Sequence, residues 1–351
     1  VTPRRSAPAK LERFCKDVLR ASGADAQSAD AAARAMLHAS LYGVDSHGVR
    51  LLPHYDRVIR GGRVNGAPNM AFQRTSGAAG LLNADDAHGA RAGYAAVDHV
   101  CDLAAEQGIG AVGIRNSSHF GAAGAYAVAI TQRGMMGVVF CNSDSFVRLH
   151  DGAARFHGTN PIAVAVPTGE EHPWLLDMAT SAVPYNRVQL YKSLGRELPD
   201  HTASDASGRD TRDPEDADML APLGGEFGFK GAGLAGMVEI FSAVLTGMRL
   251  SAEILPMPGP DFSTPREMGA FVMALDPNAF AGGEAVRDGM TRYLTALRAS
   301  PARDGCTVMA PGDREWAEAA RRRREGVPVD PDTAAEFDRL AEEEGIVPPF
   351  D

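Results

Sequence analysis

Apolar residues at helical spacing open the chain: Leu11, Phe14, Val18 and Leu19 share one face. The Ala-rich run SADAAARAMLHASLYG follows, with Ser28 as its expected cap and Gly43 as its end. LLPHYDRVIRGG predicts a further short helix, stopped by Gly61 and Gly62. From Asn69 the pattern changes. AFQRTSGAAGLLNADD alternates and turns as strands do, and GARAGYAAVDHVCDLAAEQG is helical with a glycine end. IGAVGIRNS, MMGVVFCNS, IAVAVPT, PWLLDMA and GAFVMALD read as strands. GAAGAYAVAITQRG and GAGLAGMVEIFSAVLTG read as helices. Charged helical patterns return from Asp313. Residues 1–9 are expected to be a frayed tail, and the Gly/Pro/Asp-rich stretch 200–225 a long surface loop. The pattern is a mixed α/β middle flanked by helical ends. Helical flanks, residues 1–68 and 309–351, are expected to pack together beside a mixed middle of residues 69–308.

Composition narrows the function. The 351 residues allow two or three domains, and 44% hydrophobic with 23% charged residues is ordinary for a globular protein. A net charge of −10 disfavours nucleic acid as a partner, because phosphate binding needs a concentrated basic surface. The single basic run, Arg321–Arg324, follows a helical pattern and is read as a solvated helix face. Four scattered cysteines, 15, 101, 141 and 306, form no C-x-x-C pair, which points to a reducing, cytoplasmic setting. The first residues lack the apolar core of a signal peptide, and no apolar run approaches the roughly 20 residues that cross a bilayer. No membrane partner is expected. The ten histidines show no metal-binding spacing, so no metal site is expected.

Two glycine motifs match G-x-G-x-x-G. Gly108–Gly113 leads from a helix into a strand, the reverse of the order that binds a dinucleotide. Gly231–Gly236 opens a helix but follows GGEFGFK, which is no apolar strand. Lys230 at that helix start suits an anion; close helix packing explains the glycines equally well. RNSSHFGAAG, GTNP and DMATS are polar turns beside apolar strands, where functional loops concentrate. The segment DSHGVRLLPHY places an acid, a hydroxyl, an imidazole and an arginine within six residues, Asp45 to Arg50. Neighbouring residues seldom meet as nucleophile and base, and no G-x-S-x-G elbow exists, so hydrolysis by Ser46 and His47 is disfavoured.

Taken together, DSHGV with LPHY, NSSHFGAAGAYA, GTNPIAVAVPT, LLDMATS, FKGAGLAGMVE and PGDRE resemble the second, non-Rossmann type of malate/L-lactate dehydrogenase. These pieces occur in family order from about residue 10 to 345. The resemblance implies a helical domain made of both chain ends and a central α+β domain with an unusual nicotinamide-cofactor fold. It implies a homodimer with its active site near the interface. It also implies hydride transfer between NADH or NADPH and C2 of a small 2-oxo or 2-hydroxy acid. A cyclic imine is the alternative substrate; a non-catalytic binding protein on the same fold is the remaining one. In that frame His47 is the proton donor and Ser46 its relay partner, with His119 a further acid/base candidate. Cofactor contacts fall on His119, Phe120, Gly121, Ala122 and Ala123, on Asp177, Met178, Ala179 and Thr180, and on Arg187, Lys230 and Pro311. Thr159 and Arg50 are the substrate-binding candidates. The chain departs from the family at two places. Leu51 stands where an arginine that binds the substrate carboxylate is expected, and Arg50 precedes it. After DMATS the chain reads AVPYNR, placing Pro184, Tyr185 and Asn186 near the cofactor, with Arg187 as a phosphate candidate.

Overall fold

The computed structural model describes residues 3–350, apart from the side chains of Asn186, Leu190 and Ser193. Strand β1 (Arg4–Ser6) precedes helices α1 (Pro8–Ala21), α2 (Ala26–Leu41) and α3 (Leu52–Arg60). The middle opens with β2 (Ala71–Arg74), β3 (Ala79–Ala87), α4 (Gly89–Gln107) and β4 (Ile109–Ser117). Then come α5 (Gly124–Thr131), β5 (Met136–Cys141), β6 (Val147–Arg148), β7 (Arg155–His157), β8 (Ile162–Val166) and β9 (Trp174–Met178). Helix α6 (Tyr185–Ser193) and the short strands β10 (Ala203–Ser204), β11 (Asp210–Thr211) and β12 (Met219–Leu220) lead to α7 (Phe229–Glu239). The chain continues through β13 (Met268–Leu275), α8 (Gly283–Arg298), α9 (Asp313–Glu325), β14 (Val327–Val329) and α10 (Pro331–Glu344).

One core is built mainly by the two chain ends. Phe14, Val18, Leu19, Met36, Leu52 and Tyr55 pack with Val327, Val329, Phe337 and Leu340. The amphipathic spacing of α1 aims its apolar stripe at α10, where Phe14 and Phe337 meet with ring centroids 5.1 Å apart. Residues 4–6 are no frayed tail, since β1 pairs antiparallel with β14 and ties the two ends together. The cap of α2 is Asp25, which accepts from Ser28 N at 2.7 Å; Ser28 supplies the amide, not the capping oxygen.

The second core lies beneath α4 and α5, on a seven-stranded sheet of order β2-β3-β4-β13-β5-β8-β9. Only β3 and β4 run parallel; every other neighbouring pair is antiparallel. This is not the all-parallel sheet of a Rossmann domain. Gly108 ends α4 with φ +82°, so the first glycine motif is a helix end leading into β4, as its order predicts. The stretch 200–225 is not a bare loop. Its strands β10, β11 and β12 join β6 and β7 in a small five-stranded sheet, where Ala203 and Leu220 pack with Val147 and Val188. Pairs of two residues are too short to show a period of two, which is why the sequence pattern misses them.

The alternation of strand direction decides which loops share an edge. The ends of β3, β4, β5 and β9 and the starts of β8 and β13 all fall on one edge of the central sheet. If both chain ends share one core, Phe14→Ala and Phe337→Ala will each cost about 3–5 kcal/mol in urea unfolding. Their double variant will cost less than the sum, because the residues are in contact. Simple additivity would contradict a shared core.

Candidate functional site

His47 is carried by the short 3₁₀ turn Asp45–His47 after α2. That turn brings Ser46 Oγ to 2.8 Å from His47 Nδ1. The expectation that such neighbours fail to meet holds for extended backbone; a 3₁₀ turn coils them together. Gly48 follows because a Cβ there would overlap Ser40 Oγ, which accepts from Val49 N at 2.9 Å. The turn is clamped from the far end of the sequence. Arg322 of α9, only 6% exposed, donates to Ser40 O at 2.7 Å, to both carboxylate oxygens of Asp45, and to Glu318. The basic run is therefore not wholly a solvated face: Arg324 is exposed, but Arg322 is a buried strut.

His119 stands on the loop after β4. Its ring stacks on His47 with centroids 5.8 Å apart and planes 15° from parallel. Its Nδ1 lies 2.8 Å from Tyr55 OH, from α3. Burial holds the Tyr55 hydroxyl well above its ordinary range, so it stays a neutral phenol in this contact. Burial also lowers the pKa of His47. That of His119 falls further, first through burial and then through His47, Arg266, His54 and His88. Both imidazoles are neutral at pH 7. Gly89 permits this closeness, since a Cβ there would overlap the carbonyls of Ser118 and His119. Sequence reasoning gave Tyr55 no role, although a phenol on an apolar helix face needs a partner and so carries that signal.

Contacts run outward from His119 through most of the remaining candidates. Phe120, Ala122 and Ala123 are buried, and the loop enters α5 at Gly124, whose N–H donates to Asp177 at 3.0 Å. Burial raises the Asp177 carboxyl to about 6, partly offset by that N–H. Met178 ends β9, and Ala179 links it to Thr180. Thr180 spends its hydroxyl on the carbonyls of Thr159 and Asn160, both at 3.1 Å. Thr180 O also accepts from Leu223 N at 2.9 Å. Gly231 packs on Leu223, where a Cβ would overlap the carbonyl. The buried Glu239 of α7 fixes Asn160 Nδ2 at 2.8 Å, beside Thr159. Lys230 begins α7 next to this contact. Three candidates stand apart. Arg50 is exposed while Leu51 packs on the helical core. Arg187 is exposed on α6. Pro311 lines a cavity of about 250 Å³ with Trp174, Arg298 and Trp316, at the opposite end of β9 from Asp177.

The residues gathered here fit a nicotinamide dinucleotide. Lys230 has no carboxylate partner among the described residues; its Nζ lies 5.4 and 6.0 Å from the exposed rings of Phe227 and Phe229. A Cβ on Gly233 would meet nothing within 4 Å. A free cation, two aromatic faces and open backbone suit phosphates and flat rings. The two readings of GAGLAG thus divide: Gly231 serves packing, and Gly233 leaves space.

The sequence profile of the malate/L-lactate dehydrogenases matches residues 7–338. The chain belongs to that family. Malate dehydrogenase of Pyrococcus abyssi is 32% identical over 345 residues, 96% of this chain and 94% of that one. The crystal structure of malate dehydrogenase from Entamoeba histolytica superposes with TM-score 0.93 at 26% identity, covering 99% and 100% of the two chains. The Δ1-piperideine-2-carboxylate reductase of Pseudomonas syringae pvar. tomato superposes with TM-score 0.83 at 27% identity, covering 96% and 99%. Other relatives are named for NAD(+), as is the ureidoglycolate dehydrogenase of Escherichia coli, and for NADP(+), as is the sulfolactate dehydrogenase of Chromohalobacter salexigens. The chain is an NAD(P)-dependent oxidoreductase of hydroxy and oxo acids.

Arg322→Lys keeps a charge but cannot reach Ser40, Asp45 and Glu318 together. It will lower kcat at least about tenfold, the loss of roughly one charge-assisted hydrogen bond, and leave coenzyme affinity by fluorescence quenching unchanged. Tyr55→Phe removes one oxygen and frees the His119 ring; kcat/KM will fall about tenfold with little change in thermal stability. Unchanged kinetics in either variant would remove that residue from the positioning role.

Proposed function

We propose that this dehydrogenase reduces a small 2-oxo acid at C2, with His47 as proton donor and Ser46 as its relay. The observation that carries this reading is the unbroken series Ser46–His47–His119–Tyr55 at the sheet edge. When bound, NAD(P)H supplies the hydride. Negative charge then builds on the substrate oxygen, and an N–H at His47 Nε2 neutralises it. A neutral imidazole can give up that proton only if Nδ1 is refilled at the same time. Ser46 Oγ, 2.8 Å from Nδ1 and partly exposed, is placed to do so, passing its proton to Nδ1 as it takes one from solvent. In the oxidative direction the same neutral ring is the base. His119 offers a second N–H, and Thr159 a hydroxyl, toward the same substrate. The backbone of Phe120–Ala123, the end of β9 and Lys230 hold the coenzyme.

A homodimer with the site near its interface suits one further observation. Leu234, Ile240, Val244 and Leu245 are large and exposed along α7 and its continuation, the same helix that begins with Lys230. A cytoplasmic setting is supported by the free cysteines, three of them buried. Among the described residues no helix is long and apolar enough to cross a membrane.

His47→Ala will lower 2-oxo acid reduction by about 10²–10⁴-fold while coenzyme binding persists. Cyclic imines that arrive protonated will suffer less; equal losses on both substrates would contradict proton donation by His47. The lowered pKa of His47 fixes the sign of the pH dependence. Its basic form survives below the ordinary 6.5, so kcat/KM for hydroxy-acid oxidation will stay flat as pH falls to 6.5 and drop only below it. A break above 6.5 would exclude His47 as the base.

A further inference from the structure

Arg266 immediately precedes β13, on the sheet edge that carries His119. It is 2% exposed. Its Nε donates to Leu255 O at 2.9 Å and its Nη2 to Asp144. Its Nη1 is buried with no hydrogen-bond partner among the described residues. A charged guanidinium nitrogen left this way is costly unless something else takes the bond.

Arg266 lines a narrow cavity with His54, Tyr55, Arg63, Ser118 and His119. No carboxylate lines it. Its volume is about 10 Å³, room for one oxygen-sized group. Arg63, also 2% exposed, brings a second guanidinium, held by the carbonyls of Pro256, Met257 and Asp261. Two buried cations therefore face a cavity whose other polar walls are a neutral phenol, a hydroxyl and two imidazoles. That arrangement attracts an anion, and its size admits one oxygen of a carboxylate while the rest of the molecule lies on the His119 side.

The departure at Leu51 leaves a role open. The family resemblance places a carboxylate-binding arginine there, and in this chain Leu51 packs on the helical core while Arg50 faces solvent. We infer that Arg266 binds the substrate carboxylate through its free Nη1, with Arg63 reinforcing the charge, so that the acid is held from the β13 side of the site. The inference rests on the proposed 2-oxo acid reduction. It places the carboxylate on one side of His119 and the carbonyl oxygen on the His47 side.

Arg266→Lys is the test, because it keeps the charge beside Asp144 but loses the planar fork. Steady-state reduction is compared for a 2-oxo acid and its uncharged amide, alongside reduced-coenzyme affinity by fluorescence. The variant should raise KM for the acid at least tenfold and leave the amide and the coenzyme unchanged. Equal loss on acid and amide, or an unchanged KM for the acid, overturns the inference. Thermal stabilisation by oxamate, in the presence of coenzyme, separates this from the reaction itself. If wild type turns over no 2-oxo acid yet oxamate stabilises it and not the variant, the carboxylate site stands and the proposed reaction falls. If oxamate stabilises both equally, the site falls. Should Arg266→Lys lose its folded near-ultraviolet spectrum, Arg63→Lys replaces it, with a smaller rise in the same KM expected and no rise contradictory.

Discussion

A buried guanidinium holds the candidate catalytic turn in place. Arg322 reaches from α9 to Ser40, Asp45 and Glu318, and so fixes the turn on which Ser46 and His47 stand. An Arg with its donors filled by carboxylates and a carbonyl is stable in a low-dielectric seam; the same group half-paired would be costly. The clamp thus makes the C-terminal helices a condition for the Asp45–His47 turn, although they contribute no group to it. Covalent order runs the other way: some 277 residues separate Arg322 from Asp45.

The second constraint is the sheet edge. Because strand direction alternates across β4, β13, β5, β8 and β9, strand ends and strand starts meet there. His119, Thr159, Asp177 and Arg266 arrive at one edge from four different strands. Buried polar bonds then set their spacing: Thr180 ties the Thr159 loop to β9, and Glu239 ties Asn160 to α7. Such interior hydrogen bonds favour one geometry, since a shift would strand a buried donor. The helical core supplies the other wall through Tyr55 and His47, and the stacked histidines lie on the seam between the two cores.

What was legible in the sequence follows from the range of the cause. The strand IGAVGIRNS runs from Ile109 to Ser117 as its apolar run and its leading Gly108 imply, because both signals are local. The candidates His47, His119 and Asp177 were legible through motifs in loops beside apolar strands. Ser46 meeting His47 was not, because it depends on a 3₁₀ turn that a distant helix clamps. Arg322 looked like any member of a basic run, and no motif marked Arg266. Their partners, Asp45 and Asp144, are more than 100 residues away. Ser28 was one turn inside its helix end because Asp25, the better-placed acceptor, precedes it by three residues.

Proton donation by His47 within a site clamped from both chain ends is best tested by a crystal structure of the enzyme with reduced coenzyme and oxamate. The account places the carbonyl oxygen of oxamate within hydrogen-bond reach of His47 Nε2, with Ser46 still bonded to Nδ1. A carbonyl turned away from His47, with that ring contacting only protein, would contradict it.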